Sequence, residues 1–307
     1  MKQNIIQNIV IAGPTASGKT KLSIDIALKV NGEIINADSM QVYRGLNKIN
    51  AMPSKENLKL VPHHLFSINE LDVKFSVAEW IKLASKIKKE INNTGKPVIF
   101  AGGSGMYLNA AINGLSKIPK IKIETKKQVE KLYQNIGKDK FYSKLCNLDP
   151  NVFNNIERND TYRVLRSFEV VLQTGKTLSW WHKQKKISPI VKNAKKILIM
   201  PSKKEIYARI DKRFDLMIND GAIEEVRNVF NKNLTLDLPS LKTLGVKQLF
   251  SYFKNLIPID EAIMLAKRDS RRFAKRQLTW FKNSFEPDII LSEVYNGKIK
   301  DINFNFL

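Results

Sequence analysis

Asn8-Ile9-Val10-Ile11-Ala12-Gly13-Pro14-Thr15-Ala16-Ser17-Gly18-Lys19-Thr20 is the stretch that decides the fold. Its first five residues are apolar enough for a buried strand, and its last eight fit the spacing G-x-x-x-x-G-K-[ST]. From Thr20 to Val30, Leu22, Ile26 and Leu28 recur at roughly helical spacing. A glycine-bounded loop between a strand and a helix is a cradle for phosphate, because successive backbone N–H groups and the helix N-terminus point at one anion. The candidate phosphate-binding residues are therefore Gly13, Pro14, Thr15, Ala16, Ser17, Gly18, Lys19 and Thr20. Lys19 supplies a point charge, and the Thr20 hydroxyl can ligate a Mg2+ ion carried in by a di- or triphosphate. The motif names a phosphate chain and not a reaction; most such loops hold a nucleoside triphosphate such as ATP.

Outward from this loop, strand and helix alternate. Glu33 to Asp38 reads as a second short strand, and Phe75 to Asn92 has helical periodicity through Val77, Trp80, Ile81, Ala84 and Ile87. Pro97 to Ala101 is a third strand that runs into Gly102-Gly103-Ser104-Gly105. Continuous apolar strands separated by helices predict an α/β fold with a P-loop NTPase-like parallel sheet core. The middle differs: from Ser116 to Asn193 Lys and Asn are dense and no buried strand is apparent. One amphipathic helix stands out there, from Thr161, capped by Asn159 or Asp160, to Gly175, with Val164, Leu165, Phe168, Val171 and Leu172 as its stripe. The expected organisation is a core over residues 1–115, a helical insertion over 116–193, and completion of the core over 194–307. The sheet resumes at Ile197 to Met200, and two or three helices follow to Phe281.

The 307 residues carry 52 Lys+Arg against 29 Asp+Glu, a formal charge of +23. Such a balance fits a polyanionic partner. It also fits the general enrichment in Lys, Asn and Ile, so the location of the charge must decide. One cysteine, Cys146, excludes an internal disulfide framework and a multi-cysteine zinc site, and three histidines leave little for a metal centre. His63 and His64 read as structural or loop residues. No apolar run can span a bilayer, and Met1 to Asn4 has no signal-peptide core, so the expectation is a cytoplasmic protein without a membrane partner. Lys267, Arg268, Arg271, Arg272, Lys275 and Arg276 fall within ten residues, and positions 268, 272, 275 and 276 share a helix face, with Phe273, Trp280 and Phe281 close by. That stripe suits a nucleic-acid backbone, with Arg272, Lys275 and Arg276 as its candidate contacts. A solvated face that covers the core with lysine stems is the structural alternative.

Asp38 ends the strand that follows the phosphate loop, where open α/β sheets build their sites. It can serve as an outer ligand to a metal or as a general base on an acceptor; an N-cap or turn residue is the structural alternative.

Taken together, the motifs resemble the bacterial tRNA dimethylallyltransferases over nearly the whole chain. The resemblance rests on Gly13 to Thr20, Asp38-Ser39-Met40-Gln41-Val42-Tyr43-Arg44-Gly45, Pro62-His63-His64-Leu65 and Gly102-Gly103-Ser104-Gly105-Met106-Tyr107. It extends to Gly175-Lys176-Thr177-Leu178-Ser179, Arg209-Ile210-Asp211-Lys212-Arg213 and Ala274-Lys275-Arg276-Gln277-Leu278-Thr279-Trp280-Phe281. The resemblance implies that the loop holds the diphosphate of dimethylallyl diphosphate, with Mg2+ on Thr20. It implies that Asp38 deprotonates the exocyclic amine (N6) of the adenine on the 3′ side of the anticodon, and that Arg213 helps hold the diphosphate, so Asp38, Thr20 and Arg213 form the expected catalytic set. It further implies tRNA contacts by Asp38, Ser39, Met40, Gln41, Ser104, Lys126, Tyr162, Arg163, Val164, Leu165 and Arg166, with the insertion clamping the anticodon stem-loop. A monomer suffices for this, and no protein partner is required.

The sequence departs from that family after Gly45. Where the usual segment is Asp-Ile-Gly-Thr-Ala-Lys-Pro, the chain has Asn47-Lys48-Ile49-Asn50-Ala51-Met52-Pro53. The competing readings are a P-loop small-molecule or nucleotide kinase, with Asp38 acting on a hydroxyl, and an RNA-binding protein without activity.

Overall fold

The computed structural model describes residues 8–235 and 237–298, so the N-terminal Met1 to Asn4 lies outside the described residues. The described residues form two compact units, one made of the residues on either side of the stretch 113–189 and the other of that stretch.

The first unit begins with β1 (Asn8–Ala12), α1 (Lys19–Val30), β2 (Glu33–Asn36), α2 (Lys55–Leu60), β3 (His63–His64), α3 (Val77–Asn93), β4 (Val98–Gly102) and α4 (Gly105–Asn113). β1 is buried along its whole length, and β2 and β4 are almost as deeply covered, as their continuous apolar runs require. α3 starts at a capping box in which the Ser76 hydroxyl accepts from the Glu79 N–H and the Glu79 carboxylate accepts from Ser76. It buries Trp80, whose indole donates to the Asn36 carbonyl at 2.8 Å and so ties the helix to the end of β2.

The insertion unit contains β5 (Leu115–Ser116), α5 (Ile123–Leu148, broken at Gly137), α6 (Asn151–Asn155), α7 (Thr161–Thr174), α8 (Leu178–Lys183) and β6 (Lys186–Ile187). Its core gathers Val129, Phe141, Leu145, Val152, Ile156, Val164 and Phe168. Asp160 caps α7 by accepting from the Arg163 N–H, and Gly175 closes it in the left-handed conformation. The buried face of α7 is Val164, Ser167, Phe168 and Val170, whereas Leu172 is exposed. The expected stripe was therefore only partly right. The unit also starts and ends earlier than 116–193. β5 pairs antiparallel with β6 and closes the insertion, while the Ile190 and Val191 N–H groups donate to Ala111 within the first unit.

After the insertion come β7 (Lys195–Ile199), α9 (Lys203–Asn219), α10 (Ala222–Phe230), a 3-10 turn at Pro239–Lys242, α11 (Val246–Phe253), α12 (Ile259–Ser284) and β8 (Ile289–Leu291). Among the described residues four α-helices thus stand where the sequence suggests two or three; only Asp220 and Gly221 separate α9 from α10. The sheet is parallel throughout, in the order β3-β2-β4-β1-β7-β8. β1 lies between β4 and β7, so the carboxyl ends of the two sides of the sheet meet at the loop that follows β1. No helix among the described residues is long and apolar enough to cross a membrane.

Gly102 shows how tightly β2 and β4 pack at that end. A Cβ there would lie 2.1 Å from the Ala37 carbonyl oxygen. Gly102→Ala is expected to destabilise the protein by about 1–3 kcal/mol, because backbone and not a movable side chain must yield. A melting temperature equal to the parent's would refute that expectation.

Candidate active site at the phosphate loop

The loop after β1 has the backbone of an anion cradle. Ala16 at φ 65 and Gly18 at φ 92 stand on either side of Ser17, which is not in the positive-φ region, an alternation that turns successive N–H groups toward one side above the first turn of α1. An alanine in this region costs energy that the surrounding structure must offset, as at many ligand sites. Ser17 is fully buried and its hydroxyl has no protein partner, so the cradle carries a spare polar group of the kind a phosphate oxygen would satisfy. Lys19 donates to the Pro14 carbonyl at 2.7 Å, which parks the ammonium over the loop.

α9 brings two arginines to the same loop. Arg209 and Arg213 are one turn apart and share a face. Arg209 Nε donates to the Ala16 carbonyl at 3.2 Å, and Arg213 donates to the Thr15 hydroxyl. Opposite them, Asp38 follows β2 in a turn built by hydrogen bonds. The Asn36 side chain accepts from the Asp38 N–H at 2.8 Å, and Asp38 Oδ1 accepts from the Met40 N–H at 3.0 Å. Ser104 holds the next residue, its hydroxyl accepting from the Ser39 N–H at 2.8 Å. The phosphate loop, Asp38, Gln41, Arg209 and Arg213 all line one cavity of about 720 Å³.

Crowded cations set the electrostatics. Burial pushes Lys19 down to about 8, with Asp38 pulling it back up and Arg213 pushing it further down. Burial likewise lowers Arg213 to about 10, again opposed by Asp38. A cluster this poor in negative charge would be neutralised by an anion placed on the loop. Because Lys19 in the free protein loses its proton as pH rises through about 8, kcat/KM for an anionic donor should fall above that pH. Donor already bound restores the charge by attraction, so kcat should stay flat over the same range. Paired pH profiles of kcat/KM and kcat check this; a kcat/KM that holds steady to pH 10 would sink it.

Gln277 on α12, unnoticed as a site residue in the sequence, is buried between the loop and the end of the sheet. Its amide nitrogen donates to the Gly103 carbonyl and its amide oxygen accepts from the Thr15 N–H, both at 2.9 Å. These two partners fix the orientation of the amide without ambiguity. Thr20 is exposed on the first turn of α1. The described residues hold no group of three His, Cys, Asp or Glu suited to a metal ion. Thr20 is the residue that would contact a Mg2+ ion carried in on a ligand's phosphates.

The basic run of α12 divides. Arg271 pairs with Asp211 at 2.6 Å and Lys267 with Asp215 at 2.5 Å, so these two bind α12 to α9. Arg268 and Arg272 both lie against Asp269, while Lys275 and Arg276 are exposed. Phe281 is buried core and offers no ring to a nucleobase. His64 pairs with Glu33 at 2.8 Å, which ties it to β2, whereas His63 Nδ1 faces the Val61 carbonyl and its ring lines the cavity with Nε2 buried and without a protein partner.

In the insertion unit, Lys126 is exposed on α5 and Tyr162 is 69% exposed at the start of α7. Arg163 pairs with Asp160 and Arg166 with Glu169. Val164 is 2% exposed in the unit's core, and Leu165 packs against the same cluster. Burial of Val164 keeps its side chain from meeting RNA, whereas half-buried Leu165 still reaches the surface beside the exposed Tyr162 and Arg163.

A parallel sheet with a phosphate loop at its carboxyl edge, two arginines behind that loop and a carboxylate across it defines a P-loop α/β protein that handles a phosphorylated substrate. Comparison with known proteins narrows the class. The IPP transferase family model matches residues 41–284, and the chain belongs to that family. It is 41% identical over 280 residues to the tRNA dimethylallyltransferase of Ehrlichia canis, covering 90% of this chain and 92% of the relative. The crystal structure of the full-length tRNA isopentenylpyrophosphate transferase from Bacillus halodurans matches with a TM-score of 0.67 and 32% identity, over 97% of this chain and 91% of that one. A eukaryotic dimethylallyltransferase acting on tRNA matches with a TM-score of 0.79 over 93% of this chain and 74% of its own, at 24% identity, which bears on the fold alone.

Proposed function

We propose that the chain transfers a dimethylallyl group from dimethylallyl diphosphate to tRNA, onto the N6 amine of the adenine on the 3′ side of the anticodon. The observation that carries this reading is the placement of Lys19, Arg213 and Asp38 around a single cavity at the phosphate loop. The diphosphate lies on the loop, against Lys19 and Arg213, and the guanidinium suits that anion bidentately. Mg2+ held by Thr20 would neutralise part of the diphosphate charge when bound. As the allylic C–O bond breaks, backbone N–H groups and Lys19 take up the charge growing on the leaving group. The N6–C bond forms in the same event, and the amine proton passes to the Asp38 carboxylate.

An adenine in a stacked loop reaches such a site only if it is turned out of the stack, at a cost of a few kcal/mol. Contacts to neighbouring nucleotides must offset that cost. Tyr162, Arg163 and Lys126 on the insertion and Lys275 and Arg276 on α12 supply exposed aromatic and cationic groups of the right kind. This reading sets the protein to work in the cytoplasm, where tRNA is modified. A small-molecule kinase is not favoured, since the relatives over nearly the whole chain are prenyltransferases. Incubation with unmodified tRNA, dimethylallyl diphosphate and Mg2+, followed by mass spectrometry of the nucleosides, tests the proposal. Prenylated adenosine is expected; ATP consumption without it would overturn the reading.

A further inference from the structure

Glu225 stands on the first turn of α10, away from the phosphate loop. One carboxylate oxygen accepts from the N–H groups of Asn47 at 2.7 Å and Lys48 at 2.9 Å, and the other from those of Lys48 and Ile49, both at 3.0 Å. Three consecutive backbone amides thus converge on one side chain. Charge-assisted bonds of this kind are about twice as strong as neutral ones.

The segment it grips is not an idle surface turn. Ile49 is buried, and Ala51 sits at φ 48, a conformation that alanine keeps only when neighbours over-determine it. The Gln41 amide donates to the Asn50 and Ala51 carbonyls at 3.0 and 3.1 Å, and the Asn50 amide donates to the Met40 carbonyl at 3.1 Å. Gln41 and Met40 belong to the turn that begins at Asp38. Met52 and Pro53, the next residues along, line the catalytic cavity together with Leu60 and Phe66. Met52 and Pro53 thus line the cavity at the end of a segment held by Glu225 on one side and by the Asp38 turn on the other.

We propose that Glu225 is a positioning residue for the donor's hydrocarbon: it pins Asn47 to Ile49 so that Met52 and Pro53 complete the apolar wall against the five-carbon chain. The inference rests on the prenyl-transfer reading above. With the diphosphate on the loop, the allylic group is the only part of the donor that needs an apolar surface. Glu225 does not line the cavity and its carboxylate is taken up by the 47–49 amides, so its effect is read as a change in donor binding.

The test uses the full-length Glu225→Ala and Glu225→Gln variants with the parent protein. Hydrogen exchange at the Asn47, Lys48 and Ile49 amides reports on the grip, and steady-state kinetics report on each substrate. Faster exchange at these amides is expected, with KM for dimethylallyl diphosphate raised about tenfold or more and KM for tRNA changed by less than about twofold, since small misplacements of a substrate-contacting wall carry costs of this order. Glutamine, which keeps one acceptor oxygen, should fall between alanine and the parent, and it decides the matter if alanine fails to fold. Unchanged exchange, or faster exchange with an unchanged donor KM, overturns the proposal. Equal rises in both KM values also overturn it, since they report general loosening. A parent protein that transfers nothing from dimethylallyl diphosphate overturns the functional reading instead, and the amide exchange then still shows whether Glu225 holds the loop.

Discussion

Replacing Asp38 by asparagine is expected to slow prenyl transfer by about 10²- to 10⁴-fold, the usual worth of a positioned general base. Asparagine keeps the oxygen that accepts from the Met40 N–H at 3.0 Å, so the turn and its ties to Ser104 and Gln41 should survive. What is lost is a proton acceptor aimed into the cavity. The loss should fall on kcat and on kcat/KM alike, because the interaction exists only as the amine gives up its proton. Donor binding has a separate signature. Asp38 raises the proton affinity of both Lys19 and Arg213, so its removal lets Lys19 deprotonate below its present value of about 8. The alkaline fall in kcat/KM should accordingly move to lower pH in the variant. A variant that transfers at the parent's rate would refute the base assignment. One that loses rate but keeps the parent's pH profile would refute the electrostatic coupling.

What the sequence discloses depends on whether the chemistry is local. Gly13 to Thr20 is legible because its strand, loop, cation and hydroxyl are contiguous and the backbone alone makes the cradle. Asp38 is legible because strand ends in α/β sheets are where sites form. Arg213 is different, since nothing near it in the chain says that α9 will lie behind the loop; only the resemblance pointed to it. Glu225 carries no local signal, and Gln277 shows only as one letter of the Ala274 to Phe281 motif, with no role attached. Each is one polar residue among several on an amphipathic helix, and each acquires its role from backbone groups more than 170 residues away. The short elements failed for a related reason. β3 and β8 have two and three residues, too few to show a period, and are strands only because longer neighbours pair with them. On α7, hydropathy could not foresee that Ser167 would be buried and Leu172 exposed, because the covering residues come from α5.

Gln277→Leu is the second substitution expected to have a large effect. Leucine matches the volume but leaves the Thr15 N–H and the Gly103 carbonyl without their partner, each at a cost of about 1–3 kcal/mol where water cannot replace it. A marked fall in melting temperature should follow. The functional loss should exceed what the surviving folded fraction accounts for, because the Thr15 N–H would be free to turn and with it the loop that Arg213 also holds through the Thr15 hydroxyl. A shift of this kind in a substrate cradle costs up to about 10²-fold in kcat/KM. Gln277→Glu separates geometry from charge. Its carboxylate still accepts from Thr15, but it cannot donate to Gly103 and it sets a negative charge beside the phosphates. Glutamate should therefore weaken donor binding even where it spares the loop, and added salt should relieve part of that loss. Equal stability and equal kcat/KM in the leucine variant would show that the loop holds its shape without α12, and the contact would then be packing alone.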